Sequence, residues 1–343
     1  MKAVVLSAPG PAENLALRDV PMPDAGDDHV VLKVRACGVA HRDVIERGRE
    51  MRGMRYPVVQ GHEFAGEIAS VGRNVTGWRE GDRAINLYNA SCGHCPGCDA
   101  GHERRCRNIR EVYGLTVDGG YAQYCRVHPS ALVRLIDGID WPAAATLMSA
   151  LGVGYNNVVH KAGVKAGECV LITGASGGVG IGALQTAKYL GAQAWAVTSS
   201  EDKRQALLDL GADHVIVDDG TSIHKQVRRA RPEGVDAVID CVGSPTLNAS
   251  LRSVRGYGRV VAVGNVDPAP LSLNIGMLVV NAIDLLGSDN ITRRALDELM
   301  PLVRDGAIDP VIDTIFPLDG AAQAHRRIEA RDLFGRLVLD PTA

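Results

Sequence analysis

No run of apolar residues in this 343-residue chain approaches the roughly 18 that read as a membrane-spanning helix. The opening stretch, Met1 to Pro9, also holds too short an apolar run for a secretory leader. A soluble, cytoplasmic protein with no membrane partner is expected. Charge is nearly balanced, with a net of −3, so no excess of cations argues for a nucleic-acid partner. Cysteine is sparse as well, eight in all, and four of these fall within 15 positions. That pattern argues against a disulfide framework and for metal ligation in a reducing compartment. Cys37, Cys125, Cys169 and Cys241 stand apart in apolar, strand-like contexts, where buried packing is the expectation.

What the chain does contain is organised around Val170-Leu171-Ile172-Thr173-Gly174-Ala175-Ser176-Gly177-Gly178-Val179-Gly180-Ile181-Gly182. The apolar run before Gly174 suits a buried parallel strand, and Val179, Ala183, Leu184, Ala187 and Leu190 recur at helical spacing after it. A glycine-rich strand-to-helix turn lets the backbone approach a pyrophosphate, and the N–H groups and dipole of the helix start favour its charge. Ser176, Gly177, Gly178, Val179 and Gly180 are therefore candidate dinucleotide contacts. The fingerprint departs from its usual form in having Ala175 at the first glycine position. Its context supports it: a strand at 194–198, a helix at 202–210 and a strand at 214–217 follow.

Residues 1–133 read as short strands broken by Gly, Pro and Asp, for example at 30–36, 63–71, 82–87 and 121–127. The pattern turns helical between 140 and 163. From 167 to 287 strands and helices alternate as in a doubly wound parallel sheet, with further strands at 235–240, 259–263 and 283–286. The tail carries a helix at 293–304, a strand near 311–316, a helix at 320–329 and a strand at 336–339, and is expected to pack on the first domain.

Cys92, Cys95, Cys98 and Cys106 form Cys-x2-Cys-x2-Cys-x7-Cys. Four thiolates at these spacings can close a tetrahedron around one structural zinc with no open position. An iron–sulfur cluster and free thiols are the alternatives. His94 and His102, inside the lobe, are expected to face solvent.

Gly61-His62-Glu63-Phe64-Ala65-Gly66-Glu67, Gly81-Asp82-Arg83, the four-cysteine lobe, Thr173 to Gly180 and Phe334-Gly335-Arg336-Leu337-Val338-Leu339 together resemble a medium-chain dehydrogenase/reductase of the zinc alcohol dehydrogenase type. The resemblance implies an α/β protein with a GroES-like β domain (1–145 and 293–343, with the zinc lobe at about 90–110), a Rossmann domain (146–292) and a cleft between them. Tyr56-Pro57-Val58-Val59, Ala40-His41-Arg42-Asp43 and Val263-Gly264-Asn265-Val266-Asp267-Pro268 look most like the acryloyl-CoA reductase branch, which reduces a double bond conjugated to a thioester with NADPH. The same resemblance implies cofactor contacts at Val242, Gly264, Asn265 and Arg336, and a homodimer or homotetramer joined through the segment 278–286.

Members with a catalytic zinc carry cysteines where this chain has Ala40 and Ser149. His62 and Glu63 remain and would make a weak two-ligand site, so a catalytic zinc is expected to be absent. Cys37, on the opposite strand face from Ala40, is a poor substitute. A proton-relaying Ser or Thr is replaced by Arg42. Conjugate reduction needs only donors for an enolate oxygen, and Arg42, His41, His62 and Ser149 are the candidate catalytic residues. Arg42 is equally suited to a salt bridge with Asp43 or Glu63. The alternatives are a zinc-dependent alcohol or aldehyde dehydrogenase with a degenerate metal site and a catalytically weak dinucleotide-binding sensor.

Thr198 stands where NAD-preferring sites carry an acid for the ribose hydroxyl. Ser199 and Ser200 can donate to a 2′-phosphate, and Lys203 and Arg204 add positive charge, so NADPH is expected over NADH. Arg42, Arg47, Arg49, Arg52 and Arg55 form a basic run suited to the phosphates of a coenzyme A thioester, or to a solvated loop.

Overall fold

A computed structural model describes every residue except Asp219, Pro268 and Asp289. Pro268, which ends the 263–268 motif, thus lies outside the described residues. The chain divides into two compact units: Met1–Met148 with Thr292–Arg304 and Val311–Ala343, and Ser149–Ile291 with Asp305–Pro310.

Alternating apolar residues build the first unit. Val30, Leu32 and Val34 of the strand Val30–Val39 join Phe64 and Ile68 of the neighbouring strand Phe64–Val71 in one core. The main sheet runs Leu132–Arg134, Arg83–Asn86, Phe64–Val71, Val30–Val39, Arg336–Asp340 and Ile312–Pro317, and Tyr124–Val127 also pairs with Val30–Val39. The end of the chain therefore pairs with its beginning, Val338 opposite Gly38. After Val30–Val39 comes the helix His41–Gly48, in which Asp43, Glu46 and Arg47 are buried alongside Val44. Charged residues on the inner face of a short helix require partners, and these are found in the site below.

The second unit is a six-stranded parallel sheet in the order His214–Val217, Gln193–Thr198, Cys169–Thr173, Val235–Asp240, Val254–Ala262 and Asp284–Gly287. Successive strands are added on one side of Cys169–Thr173 and then, from Val235–Asp240 onward, on the other, and this switch in order places a crevice at the carboxyl ends of those two parallel strands. Every residue of Cys169–Thr173 is buried, as its continuous apolar sequence requires. The helix Gly178–Tyr189 packs closely on the helix Gly152–Asn156. A Cβ at Gly154 would lie 2.5 Å from the Ala183 nitrogen, so the small residues here serve helix contact.

The segment 278–286 differs from the buried strand that its apolar sequence allows. It contains the end of a helix, Ile275–Asn281, and the strand Asp284–Gly287. Asn274 caps the helix by accepting from the Met277 N–H, and Ala282 ends it in the left-handed region (φ 49°). Val279 and Val280 are 73% and 84% exposed. Among the described residues no helix is long and apolar enough to cross a membrane.

Candidate active site, cofactor turn and metal centre

The turn after Cys169–Thr173 is shaped by two glycines. Gly174 is left-handed (φ 59°), and a Cβ at Gly180 would come within 2.4 Å of the Gly174 carbonyl oxygen. Gly177 caps the following helix; Ser176, Gly178 and Val179 are half-buried beside it. Across the sheet, Asp240 binds the crevice together. Its Oδ1 accepts from Thr173 Oγ1 (3.0 Å), Thr246 Oγ1 (2.7 Å), Val242 N (3.1 Å) and Gly243 N (2.9 Å), and its Oδ2 from Ser250 Oγ (2.6 Å). Val242 and Gly264 are half-buried in this crevice and Asn265 is exposed.

Thr198 is buried at the end of the second strand, its Oγ1 accepting from Ser200 N at 3.3 Å. Ser199 is exposed, and Ser200 and Lys203 are half-buried. Arg204 corrects the sequence expectation. Its guanidinium is held by both carboxylate oxygens of Glu201 (2.5 and 3.0 Å) and by the Val215 carbonyl (2.8 Å), so it is committed to the protein. Arg336 is also placed unexpectedly. It belongs to the first unit, where it is buried and ion-paired with the fully buried Glu63. Burial lowers it to about 10, which still leaves it charged at neutral pH.

Cys92, Cys95, Cys98 and Cys106 bring their sulfurs within 4.8 Å of one another. Cys106 Sγ accepts from the backbone N–H groups of Cys92 (3.2 Å) and Asn108 (3.4 Å). The backbone N–H groups of Arg107 and Cys98 hold Cys95 down at about 6, whereas burial pushes Cys106 up to about 11. Four convergent sulfurs with N–H donors behind them are a donor set that fits a tetrahedral metal ion. His94 is exposed as expected. His102 is instead half-buried, at the residue before the turn Glu103–Arg105.

In the first unit a polar cluster surrounds His62. His62 Nδ1 lies 2.8 Å from Asp43 Oδ1, and a carboxylate can only accept, so Nδ1 carries the proton and Nε2 presents a lone pair when the ring is neutral. Asp43 Oδ2 accepts from Ala40 N (2.8 Å). Burial opposes ionisation of Asp43, but His62, His325 and this N–H together keep it below the usual carboxylate range. Asn86 fixes the 61–63 turn, donating to the His62 carbonyl (2.8 Å) and accepting from Phe64 N (2.6 Å). Arg42 pairs with Glu46 (2.6 Å), rather than with Asp43 or Glu63, and its guanidinium also donates to the Tyr88 phenol. His41 is exposed at the helix start, with Arg331 and Glu329 as its charged neighbours, so the two histidines play separate parts. Ser149 is half-buried in the wide helical turn Leu147–Leu151, at the start of the second unit.

The basic run is divided. Arg47 is buried, bound to the Gly10 carbonyl (3.0 Å), to His325 Nδ1 (3.2 Å) and to Glu329, and Arg42 is paired; only Arg49, Arg52 and Arg55 are exposed.

A second metal ion does not fit the residues around His62. Ala40 offers no ligand atom, Glu63 is engaged by Arg336, and the fully buried Cys37 thiol points to the Glu63 carbonyl oxygen at 3.2 Å. Burial pushes that thiol well above its ordinary range, so it stays protonated. One imidazole remains. Among the described residues, only the four cysteines gather three or more His, Cys, Asp or Glu ligand atoms.

Residues 26–137 match the alcohol dehydrogenase GroES-like domain and residues 178–305 the zinc-binding dehydrogenase domain. The chain is 34% identical over 342 residues to the acryloyl-coenzyme A reductase of Sulfurisphaera tokodaii, covering 99% of this chain and 100% of that protein. It belongs to the zinc-type alcohol dehydrogenase family of medium-chain dehydrogenases/reductases. Within that family it is also 35% identical over 340 residues to the acryloyl-coenzyme A reductase of Metallosphaera sedula, covering 99% of each. The crystal structure of AibC matches with a TM-score of 0.93 and 42% identity, covering 99% of this chain and 95% of that one. As a family member the protein is an oxidoreductase, its first unit GroES-like and its second a Rossmann sheet.

Sequence reasoning missed Asp43, Glu46, Asn86, Tyr88 and Asp240 as site-building groups. The Arg42–Glu46 spacing of four within a helix was a legible signal for one of these pairs. The others act between segments distant in the chain, where spacing carries no such signal.

Proposed function

We propose that this oxidoreductase reduces a carbon–carbon double bond conjugated to a thioester, using NADPH and carrying one structural zinc on Cys92, Cys95, Cys98 and Cys106. The observation that carries this reading is the cluster around His62: a single imidazole beside the Tyr88 ring and the Arg42 guanidinium stands where alcohol chemistry would need a set of metal ligands. Similarity to two acryloyl-coenzyme A reductases supports it. Bound NADPH would supply a hydride to the β-carbon, moving the double-bond electrons toward the thioester oxygen, and a proton from water would complete the saturated product at the α-carbon. The protein's part is to place the positive charge of Arg42, fixed by Glu46 and Tyr88, near the developing enolate and to hold the cofactor with Ser176 to Gly180, Val242 and Gly264.

NADPH preference is supported by the absence of an acid at Thr198 and by the donors Ser199, Ser200 and Lys203. The test is zinc per chain by elemental analysis, followed by oxidation of NADPH and of NADH with crotonyl-CoA and with simple ketones. One zinc with NADPH-linked thioester turnover is expected. Two zinc ions with ketone turnover would support a zinc-assisted dehydrogenase instead, and tight cofactor binding without turnover a sensor.

Arg49, Arg52 and Arg55 suit the phosphates of coenzyme A. Replacing Arg49 and Arg52 with alanine is expected to raise KM for crotonyl-CoA about tenfold, by loss of charged contacts, and to leave a small enone unaffected; equal effects on both would refute the assignment. Strand Asp284–Gly287 is one edge of the sheet, and with the exposed Val279 and Val280 it suits a second copy of the chain. Val280→Asp is expected to lower the molar mass measured by light scattering to that of a smaller assembly. An unchanged mass would place the interface elsewhere.

A further inference from the structure

Tyr88 lies between the strands Arg83–Asn86 and Asn89–Ala90, half-buried, with its ring edge-on to His62 at 5.7 Å between centroids. Arg42 places its guanidinium carbon 3.8 Å from the centre of that ring and donates through Nη2 to the phenol oxygen. Arg42 is itself fixed through Nε by the buried Glu46 carboxylate. A phenol has one proton to give, and among the described residues no protein atom accepts it.

We propose that Tyr88 is a catalytic residue, its O–H donating to the thioester oxygen of the substrate as negative charge gathers there. The proposal rests on the double-bond reduction argued above. As the hydride adds at the β-carbon, the C=C pair becomes the bond between the α-carbon and the carbonyl carbon, and the carbonyl pair moves onto oxygen. Tyr88 keeps its proton and only shares it. When the α-carbon takes a proton from water, the C=O bond re-forms and the hydrogen bond relaxes. Burial raises the phenol well above its ordinary range, in keeping with a donor that is not itself ionised. Arg42 is then a positioning residue: it occupies one lone pair of the phenol oxygen, polarises the O–H and fixes its direction.

Tyr88→Phe removes the donor and keeps the ring on which Arg42 stacks. Its kcat with crotonyl-CoA is expected to fall about 100- to 1000-fold, with KM changed less than about threefold, as for loss of one preorganised donor. NADPH affinity, read by fluorescence titration, is expected to be unchanged, which checks that the fold is kept. A second readout needs no turnover. Acetoacetyl-CoA absorbs in the near ultraviolet as its enolate, and the wild-type protein is expected to raise that band on binding while Tyr88→Phe does not. Wild-type-like kcat together with a wild-type-like band in Tyr88→Phe would overturn the assignment. If wild type reduced no enoyl thioester, double-bond reduction itself would fail, whatever the band showed. If Tyr88→Phe lost NADPH affinity, Arg42→Lys replaces it as the test. Its weakened hold on the phenol should reduce both kcat and the band by about tenfold or more, and wild-type values for both would overturn the proposal.

Discussion

Asp240→Ala is expected to destabilise the protein by about 3–5 kcal/mol, the cost of leaving several buried donors without their acceptor at about 1–3 kcal/mol each. The carboxylate is fully buried and accepts from the hydroxyls of Thr173, Thr246 and Ser250 and from the N–H groups of Val242 and Gly243. Alanine leaves all five donors without that acceptor and opens a void among them. Asp240→Asn keeps an oxygen at the crowded Oδ1 position, and its amide can donate to Ser250, so it should recover about half of the loss. Calorimetry on both variants decides the matter. A loss below about 1 kcal/mol in the alanine variant would show that the network is dispensable. The same carboxylate fixes the Gly174 and Gly243 turns, so NADPH affinity should fall with stability.

Cys95→Ser is expected to abolish stoichiometric zinc, from one ion per chain to near none, and to make the segment 92–106 open to proteases. The lobe contains only a four-residue helix, Pro96–Asp99, and the short turn Glu103–Arg105. Its regular structure is too slight to hold it closed, whereas a structural zinc contributes about 10–16 kcal/mol of binding energy in small zinc peptides. Elemental analysis and limited proteolysis, each with and without a chelator, check both halves of the expectation. Retention of zinc by the serine variant would refute four-cysteine ligation.

The parts legible in the sequence were those set by local pattern. His214–Val217 and Val235–Asp240 could be read from their apolar runs, and the cysteine cluster from spacing. What could not be read depends on pairings distant in the chain. Arg47 looks like one member of an exposed basic run until Glu329 and His325 are brought to it, and Arg336 looks available for a cofactor until Glu63 is. Tyr88 is silent in sequence for the same reason: nothing near it announces that Arg42 will stack on its ring. The helix Ile275–Asn281 shows a different limit, since a short apolar run suits helix and strand alike and only the Asn274 cap decides between them.

The pairing of Arg336–Asp340 with Val30–Val39 also bears on the order in which the chain can fold. The second unit's six strands lie within one continuous stretch, so its sheet can close while the chain is still being made. The first unit has no such freedom. Its central strand keeps an open edge at Cys37 to Val39 until residues 337–339 arrive, and so long a loop closure is expected to make it the slower of the two to form. Glu63 shares that delay, because its buried carboxylate has no Arg336 to meet until the strand docks. The site around His62 thus waits on a strand far removed from it in the chain.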